Sequence, residues 1–182
     1  VSIDGPGELH DAARGVPGTF ERTAAGLRRL QDAARRKAAP LRVSINTTVT
    51  AESLAALHTM VEVADELGVD AIGLNHLMFA TPEEAEQTAR ILGAPDASVI
   101  ATFVTPDPGL DAAEVARQVE ALQTSCRERG IRFDFRPKVW PSIVHNYYRP
   151  GAPLLGRCLY PFLHARVGFS GKVYFCPFIR IE

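Results

Sequence analysis

The sequence predicts an α/β fold built on a parallel sheet with helices outside it. Apolar runs of strand length alternate with amphipathic helical patterns along most of the 182-residue chain. Polar segments with helix-capping residues separate them, where hairpin turns would be expected between antiparallel strands. Strands joined through helices are parallel with right-handed crossovers, which leaves two architectures: an open sheet or a barrel.

Three strand and helix pairs are predicted in the first half of the chain. The opening strand ends at Gly5-Pro6, Pro40 ends the first long helix, and Gly68 ends the next. Thr81 and Glu84 form a capping box that starts the third. The predicted strands after the opening one are residues 41–49 and 71–79, and the predicted helices are residues 19–37, 50–67 and 81–92.

The second half predicts one more helix and strand, then a hairpin. Asp111 is placed to cap a helix that runs to Gly130, with Cys126 on its apolar face. Residues 98–104 and 131–137 are candidate strands, and residues 139–155 form a connector rich in aromatic residues and proline. Strand-like runs at 164–169 and 172–175 flank a turn at Gly171, which predicts an antiparallel hairpin.

Polar residues fall near the carboxyl ends of the predicted strands, where α/β proteins place their functional groups. They are Ser2, Asp4, Asn46, Thr48, Asn75 and His76. Together with Arg14, these groups suit a small molecule that carries hydroxyls and a carboxylate. The alternative is structural: Asp4 would cap a turn, Arg14 would pair with a surface acid, and each amide would tie down a loop.

The three cysteines differ in their surroundings. Cys126 shares a helix face with apolar residues, which indicates a core position. Cys158 and Cys176 flank the predicted hairpin, whose pairing brings its ends together, so they are candidate ligands of a metal or iron-sulfur cluster. Such a site needs about four ligands, and this pair supplies two.

Composition excludes several classes of function. The net charge is −1, so nothing indicates binding to nucleic acid or to an anionic membrane. No apolar run reaches the roughly 18 residues of a membrane span. Three cysteines without a secretory leader predict a reducing, cytoplasmic location.

Two motifs, one at each end, carry a family resemblance. The first is VSIDGPGELHDAARGVPGTF, with its Ser-Ile-Asp-Gly, His-Asp, Arg-Gly and Phe. It resembles the fourth strand and following helix of radical S-adenosylmethionine (AdoMet) enzymes. The second, Cys158, Gly171 and Cys176 with Pro161 and Pro177, is similar to the start of the SPASM or Twitch extension of that superfamily.

The resemblance implies the second half of a partial (β/α)6 TIM-like barrel in residues 1–138. A connector at 139–157 and the start of an auxiliary iron-sulfur domain at 158–182 would follow. AdoMet would bind against a [4Fe-4S] cluster, and its reductive cleavage would give a 5′-deoxyadenosyl radical that takes hydrogen from substrate. The implied cofactor-binding residues are Ser2, Asp4, Arg14, Asn46 and Asn75, and Cys158 and Cys176 would hold the auxiliary cluster.

The chain also departs from the family pattern. The Cys-x3-Cys-x2-Cys loop that holds the radical cluster is absent, and so is the glycine-rich stretch after the second strand. We therefore expect an internal part of a longer protein, inactive alone. The resemblance further implies a small-molecule or peptide substrate, such as a ribosomal peptide, a sulfatase side chain or a tetrapyrrole, and a flavodoxin or ferredoxin as electron donor. Two alternatives stay open: a non-catalytic half-barrel scaffold, and an ordinary α/β enzyme with structural zinc at the terminal cysteines.

Overall fold

A computed structural model describes residues 1–92, 104–139, 143–152, 162, 165–168 and 171–174. The chain divides into two compact units. The sheet unit contains Val1–Leu77 and Leu110–His145, and the second unit contains Met78–Gly109 and Asn146–Glu182. The predicted domain boundaries at residues 138 and 157 stay a prediction.

The sheet unit is built on three parallel strands in the order β1, β2, β3. These are Ser44–Thr48, Ala71–Asn75 and Arg132–Arg136. The opening residues extend the sheet beside β1 through a parallel bridge between Ser2 and Asn46, and the Ile3 N–H donates to the Asn46 carbonyl at 2.9 Å. The predicted parallel arrangement is confirmed, and the sheet does not close into a barrel among the described residues.

The two faces of the sheet differ sharply in character. Side chains alternate between faces along a strand. One face carries the buried residues Ile3, Ile45, Thr47, Ile72, Leu74 and Phe135. The other carries buried Ala71 at one end and otherwise half-buried or exposed residues, among them Ser2, Asp4, Asn46, Thr48, Gly73, Asn75, Asp134 and Arg136. The first face is core, and the second is available to a ligand.

Helices connect the strands. The described helices are α1 (Gly7–Arg14), α2 (Thr19–Arg36), α3 (Ala51–Leu54), α4 (Met60–Glu66), α5 (Pro82–Leu92), α6 (Ala112–Glu128) and α7 (Val144–Tyr147), and a 3-10 helix covers Leu57–Thr59. The bounds of α2, α5 and α6 agree with the sequence prediction. Asp111 caps α6 as expected, since its carboxylate accepts from the N–H groups of Ala113 and Glu114.

The helix predicted over residues 50–67 is wrong as one continuous element. It begins as expected at Thr50, which forms a capping box with Ser53. It then breaks after Leu54, and the His58 N–H donates to the side-chain oxygen of Gln118 at 3.3 Å and not to a carbonyl one helical turn earlier. Gln118 belongs to α6, so a tertiary contact accompanies the break.

Strands β1 and β2 are shorter than the predicted 41–49 and 71–79. Each of them has five residues, as β3 has. In the register of the sheet, Thr48 pairs with Asn75, and Asn75 pairs with Arg136. All three strands therefore end in one row. This alignment brings the polar residues near each strand end to the same edge of the sheet.

The second unit contains α5 and a small hairpin. Thr81 and Glu84 form the predicted capping box of α5 through reciprocal hydrogen bonds of 2.8 and 3.1 Å. Strands β4 (Arg166–Val167) and β5 (Val173–Tyr174) pair antiparallel, and Gly171 has a φ of +79° in the turn. The hairpin is thus confirmed. Of the candidate strand 98–104, only Val104 is described, in a parallel bridge to Ala80.

Candidate functional site

Asp4 is the centre of the polar site at the strand ends. It follows Ile3, which is fully buried in the core, so its position is fixed by the sheet. One carboxylate oxygen accepts from the Thr48 backbone N–H at 3.3 Å. The other contacts a guanidinium nitrogen of Arg14 at 2.6 Å. The carboxylate therefore joins β1 to the last turn of α1.

Helix α1 brings Arg14 to the site, and the sequence analysis did not predict this helix. It starts after Gly5-Pro6 and ends at Gly15, whose φ of +66° is the left-handed conformation typical of a helix C-cap. Arg14 is 40% exposed and Asp4 is 14% exposed. The pair thus lies at the rim, where a guanidinium can also contact an incoming anion.

His10 and Asp11 of the same motif have structural partners. His10 is buried, and its Nδ1 accepts from the Asp4 N–H at 3.1 Å. Burial, helped by the nearby Arg14 charge, lowers the pKa of His10, so the ring is neutral with its proton on Nε2. The Asp11 carboxylate accepts from the backbone N–H groups of Gly18 and Phe20, which caps α2 and lowers the pKa of Asp11.

Two asparagines lie beside Asp4. Asn46 pairs with Ser2 on one side and with Gly73 on the other, and Asn75 ends β2 next to Thr48. Among the described residues, neither side-chain amide has a hydrogen-bond partner, and both face the same cavity. Amides in this state keep both donor and acceptor capacity for a ligand.

These residues enclose a cavity of about 290 Å³, which we call the strand-end cavity. Its lining residues are Ser2, Asp4, Ala13, Arg14, Asn46, Thr48, Thr50 and Asn75. All five predicted cofactor residues are brought together here, although their role in binding a cofactor stays a prediction. Thr50 was considered only as a helix cap. Its two-residue spacing from Thr48, which continues the alternation of β1, could have indicated it.

Of the other candidate residues, Cys126 and His76 are not among those that line this cavity. Cys126 is fully buried, as predicted, and burial raises its pKa to about 11. His76 is buried, and burial lowers its pKa to about 4. Cys158 and Cys176 lie outside the described residues. Within the residues that the structure does describe, no group of three or more His, Cys, Asp or Glu side chains could hold a metal ion.

A second polar cluster, which was not predicted from the sequence, lies on α6. Gln118 is almost fully buried, and its side-chain oxygen lies 2.9 Å from Nδ1 of His58. The Gln118 amide nitrogen donates to Glu114, whose carboxylate also accepts two hydrogen bonds from Arg117. These bonds lower the pKa of Glu114 to about 2. The cluster joins α6 to the 3-10 helix and borders a separate cavity of about 410 Å³.

The strand-end cavity suits the polar part of a nucleoside-amino acid ligand such as AdoMet. Hydroxyls of Ser2 and Thr48 and the two asparagine amides can bind ribose hydroxyls or an amino acid group. Arg14 offers a planar donor set to a carboxylate, and Asp4 offers an acceptor to an ammonium. The described residues therefore fit such a cofactor.

Comparison with known proteins gives partial matches and no match to a family model. The chain is 37% identical over 95 residues to the AdoMet-dependent heme synthase of Oleidesulfovibrio alaskensis, a match that covers 52% of this chain and 23% of the relative. It is 42% identical over 83 residues to the AdoMet-dependent heme synthase of Methanosarcina barkeri, over 45% and 21% of the two chains. It is also 35% identical over 80 residues to the pre-heme d1 synthase of Dinoroseobacter shibae, over 44% and 18%.

Each match spans less than a quarter of the relative's length. The activity, substrates and partners of the whole protein are therefore matters for proposal. Separately, none of the helices in the described part of the chain combines the length and the hydropathy that crossing a bilayer requires.

Proposed function

We propose that this chain belongs to a radical AdoMet enzyme and that its strand-end cavity binds the AdoMet cofactor. The observation that supports this most is the meeting of Asp4, Arg14, Asn46 and Asn75 at one edge of a parallel sheet. The partial similarity to AdoMet-dependent heme synthases is independent support, because it comes from sequence matching alone. In this proposal the sheet is part of a (β/α) barrel.

Residues of different chemical type in the cavity would bind different parts of the cofactor. Arg14, held by Asp4 at the rim, would bind the carboxylate of the methionine part. The amides and hydroxyls of Asn46, Asn75 and Ser2 would bind ribose hydroxyls. Ligand pockets usually measure about 300–1,000 Å³, so this cavity holds part of the cofactor and leaves the rest to further residues.

When bound at a [4Fe-4S] cluster, AdoMet supplies a carbon radical that removes hydrogen from substrate. The described residues hold no group that could ligate that cluster, so we propose that its ligands come from elsewhere in the full-length protein. Cys158 and Cys176 would bind an auxiliary cluster, and a flavodoxin or ferredoxin would supply electrons. The names of the relatives favour a tetrapyrrole substrate over a peptide.

The test is AdoMet binding and cleavage by the full-length protein after anaerobic reconstitution with iron and sulfide. We expect AdoMet to bind and, with dithionite as reductant, to be converted to 5′-deoxyadenosine and methionine. Binding without cleavage by the fully reconstituted protein would favour the non-catalytic scaffold. If an Asn46→Ala, Asn75→Ala double variant keeps the AdoMet affinity and the turnover of the wild type, the strand-end cavity is not the AdoMet site.

A further inference from the structure

Gly73 occupies the middle of β2 beside the strand-end cavity, and its backbone does not explain why it is glycine. It is absent from the set of described glycines with positive φ, so any residue could adopt its strand conformation. Glycine in a strand interior weakens the strand and often marks a place where another group approaches closely. The reason for glycine at this position lies in the space above its Cα atom.

The space above Gly73 is filled by the side chain of Asn46. The two residues are direct partners in the parallel register of β1 and β2. A Cβ atom added to Gly73 would lie under 3.0 Å from the Asn46 side-chain oxygen and 3.5 Å from its Cγ. The first distance is well inside van der Waals contact, so one of the two groups would have to move. By contrast, a Cβ on Gly26 of α2 would have no heavy atom within 4 Å.

The side chain of Asn46 can move more easily than its backbone. Its strand is paired on both sides, with Ser2 and with Gly73, so the backbone at this position is fixed by neighbours. The backbone N–H of Asn46 donates to the Val1 carbonyl at 2.7 Å, and its carbonyl accepts from Ile3. A side chain at position 73 would therefore rotate the Asn46 amide and leave the strands in place.

We infer that Gly73 is a positioning residue of the strand-end cavity: its missing side chain lets the Asn46 amide lie across β2 and face the bound ligand. The identity of that ligand as AdoMet rests on the proposed function. The packing of Asn46 against Gly73 does not depend on the proposed function, so the positioning role of Gly73 and the AdoMet proposal can fail separately.

A double-mutant cycle on the full-length protein tests the inference. Gly73→Ala, Asn46→Ala and the double variant are compared with the wild type for AdoMet dissociation constant and for denaturant unfolding. We expect Gly73→Ala to weaken AdoMet binding by about tenfold, the effect of one misplaced hydrogen-bonding group. In the Asn46→Ala background the same change should cost less than about twofold, because the displaced amide is already gone. Gly26→Ala is the matched control and should leave affinity unchanged.

Each outcome of the double-mutant cycle either supports or contradicts the positioning role of Gly73. Additive losses of affinity in the double variant would overturn the inference, since Gly73 would then act without Asn46. If the wild type binds no AdoMet, the proposed function fails and unfolding becomes the readout. Gly73→Ala should then destabilise the protein that retains Asn46 and should not destabilise the Asn46→Ala variant, and equal destabilisation in both would overturn the inference. If Gly73→Ala fails to fold, recovery of folding in the double variant supports the inference and continued misfolding contradicts it.

Discussion

Arg14 has a charged partner, yet it remains accessible to a ligand. Its contact with Asp4 is a charge-assisted hydrogen bond between a mostly buried carboxylate and a guanidinium that is 40% exposed. Solvent around the guanidinium screens this pair, so its contribution to folding is small. The value of the arrangement lies in orientation: Asp4 is tied to β1 through Thr48, and it holds Arg14 at the cavity rim.

In the proposed function Arg14 binds the methionine carboxylate of AdoMet, so we expect Arg14→Ala to weaken AdoMet binding by about tenfold or more. Arg14→Lys should recover only part of the affinity, since an ammonium lacks the planar pair of donors. Isothermal titration of the full-length protein measures both. Arg28→Ala is the control, because Arg28 lies on α2, outside the cavity lining, and forms an exposed ion pair with Glu66. Equal affinities for Arg14→Ala and Arg28→Ala would contradict the role of Arg14.

His76 gives a residue-scale prediction about pH. Burial lowers its pKa to about 4 in the folded protein, whereas an unfolded histidine titrates near 6.5. Between those values the unfolded chain binds more protons, so the free energy of unfolding falls as the pH drops from about 6.5 towards 4. The pKa difference corresponds to at most about 3 kcal/mol.

Urea unfolding at pH 7 and pH 5 measures this effect. His76→Gln should reduce the loss of stability between the two pH values, because glutamine does not titrate. His145→Gln is the control, since His145 is exposed on the described surface. A pH dependence that His76→Gln leaves unchanged would show that other groups cause it.

At the scale of elements, we expect Gln118 to determine where a helix stops. Its side-chain oxygen accepts from the His58 N–H in the 3-10 helix that begins at Leu57. Gln118→Leu keeps the size of the side chain but removes this acceptor, so the His58 N–H loses its partner and the Glu114 carboxylate keeps only its hydrogen bonds from Arg117. We expect a loss of about 1–3 kcal/mol in unfolding free energy, and faster amide exchange at residues 57–59.

The control for Gln118→Leu is Gln31→Leu on α2, which removes bonds to the carbonyls of Leu67 and Gly68 near the end of α4. That change should lower stability without raising exchange at residues 57–59. Equal exchange at those residues in Gln118→Leu and wild type would mean that the break is intrinsic to the local sequence.

The same elements show which parts of the fold could be predicted. Helices α2, α5 and α6 followed from apolar spacing and capping residues, because those determinants are local. The break between Leu54 and Leu57 could not be predicted, since the contact that accompanies it comes from Gln118, about sixty residues away. Helix α1 was missed because it has eight residues, no side-chain cap and one buried residue, His10, to give it an apolar pattern.

At the scale of the whole molecule, the candidate site follows from sheet geometry. Parallel strands with aligned carboxyl ends bring together residues far apart in sequence, and alternation puts Asp4, Asn46 and Asn75 on one face. Those two rules made the cluster predictable. The contact between Asn46 and Gly73 could not be predicted, because it depends on the register of the strands, which the sequence alone left undetermined.

The two terminal cysteines are a prediction for the whole protein. The hairpin expected between them is present, with Val167 opposite Val173 and Gly171 in the turn. Cysteine thiolates removed from water are stabilised by a metal or cluster charge, so we expect Cys158 and Cys176 to share one auxiliary iron-sulfur cluster.

Replacing either cysteine with serine should therefore reduce iron and sulfide content after anaerobic reconstitution of the full-length protein, and should remove one component of its reduced-state paramagnetic resonance spectrum. Cys126→Ala is the matched control, because Cys126 is fully buried in the sheet unit and its thiol, with a pKa raised to about 11, stays protonated. It should leave iron content unchanged. Iron and spectra equal to wild type in both serine variants would exclude the pair as cluster ligands. Zinc bound in place of iron would instead favour an α/β enzyme with a structural metal, since two thiolates in a four-ligand site suit zinc equally well.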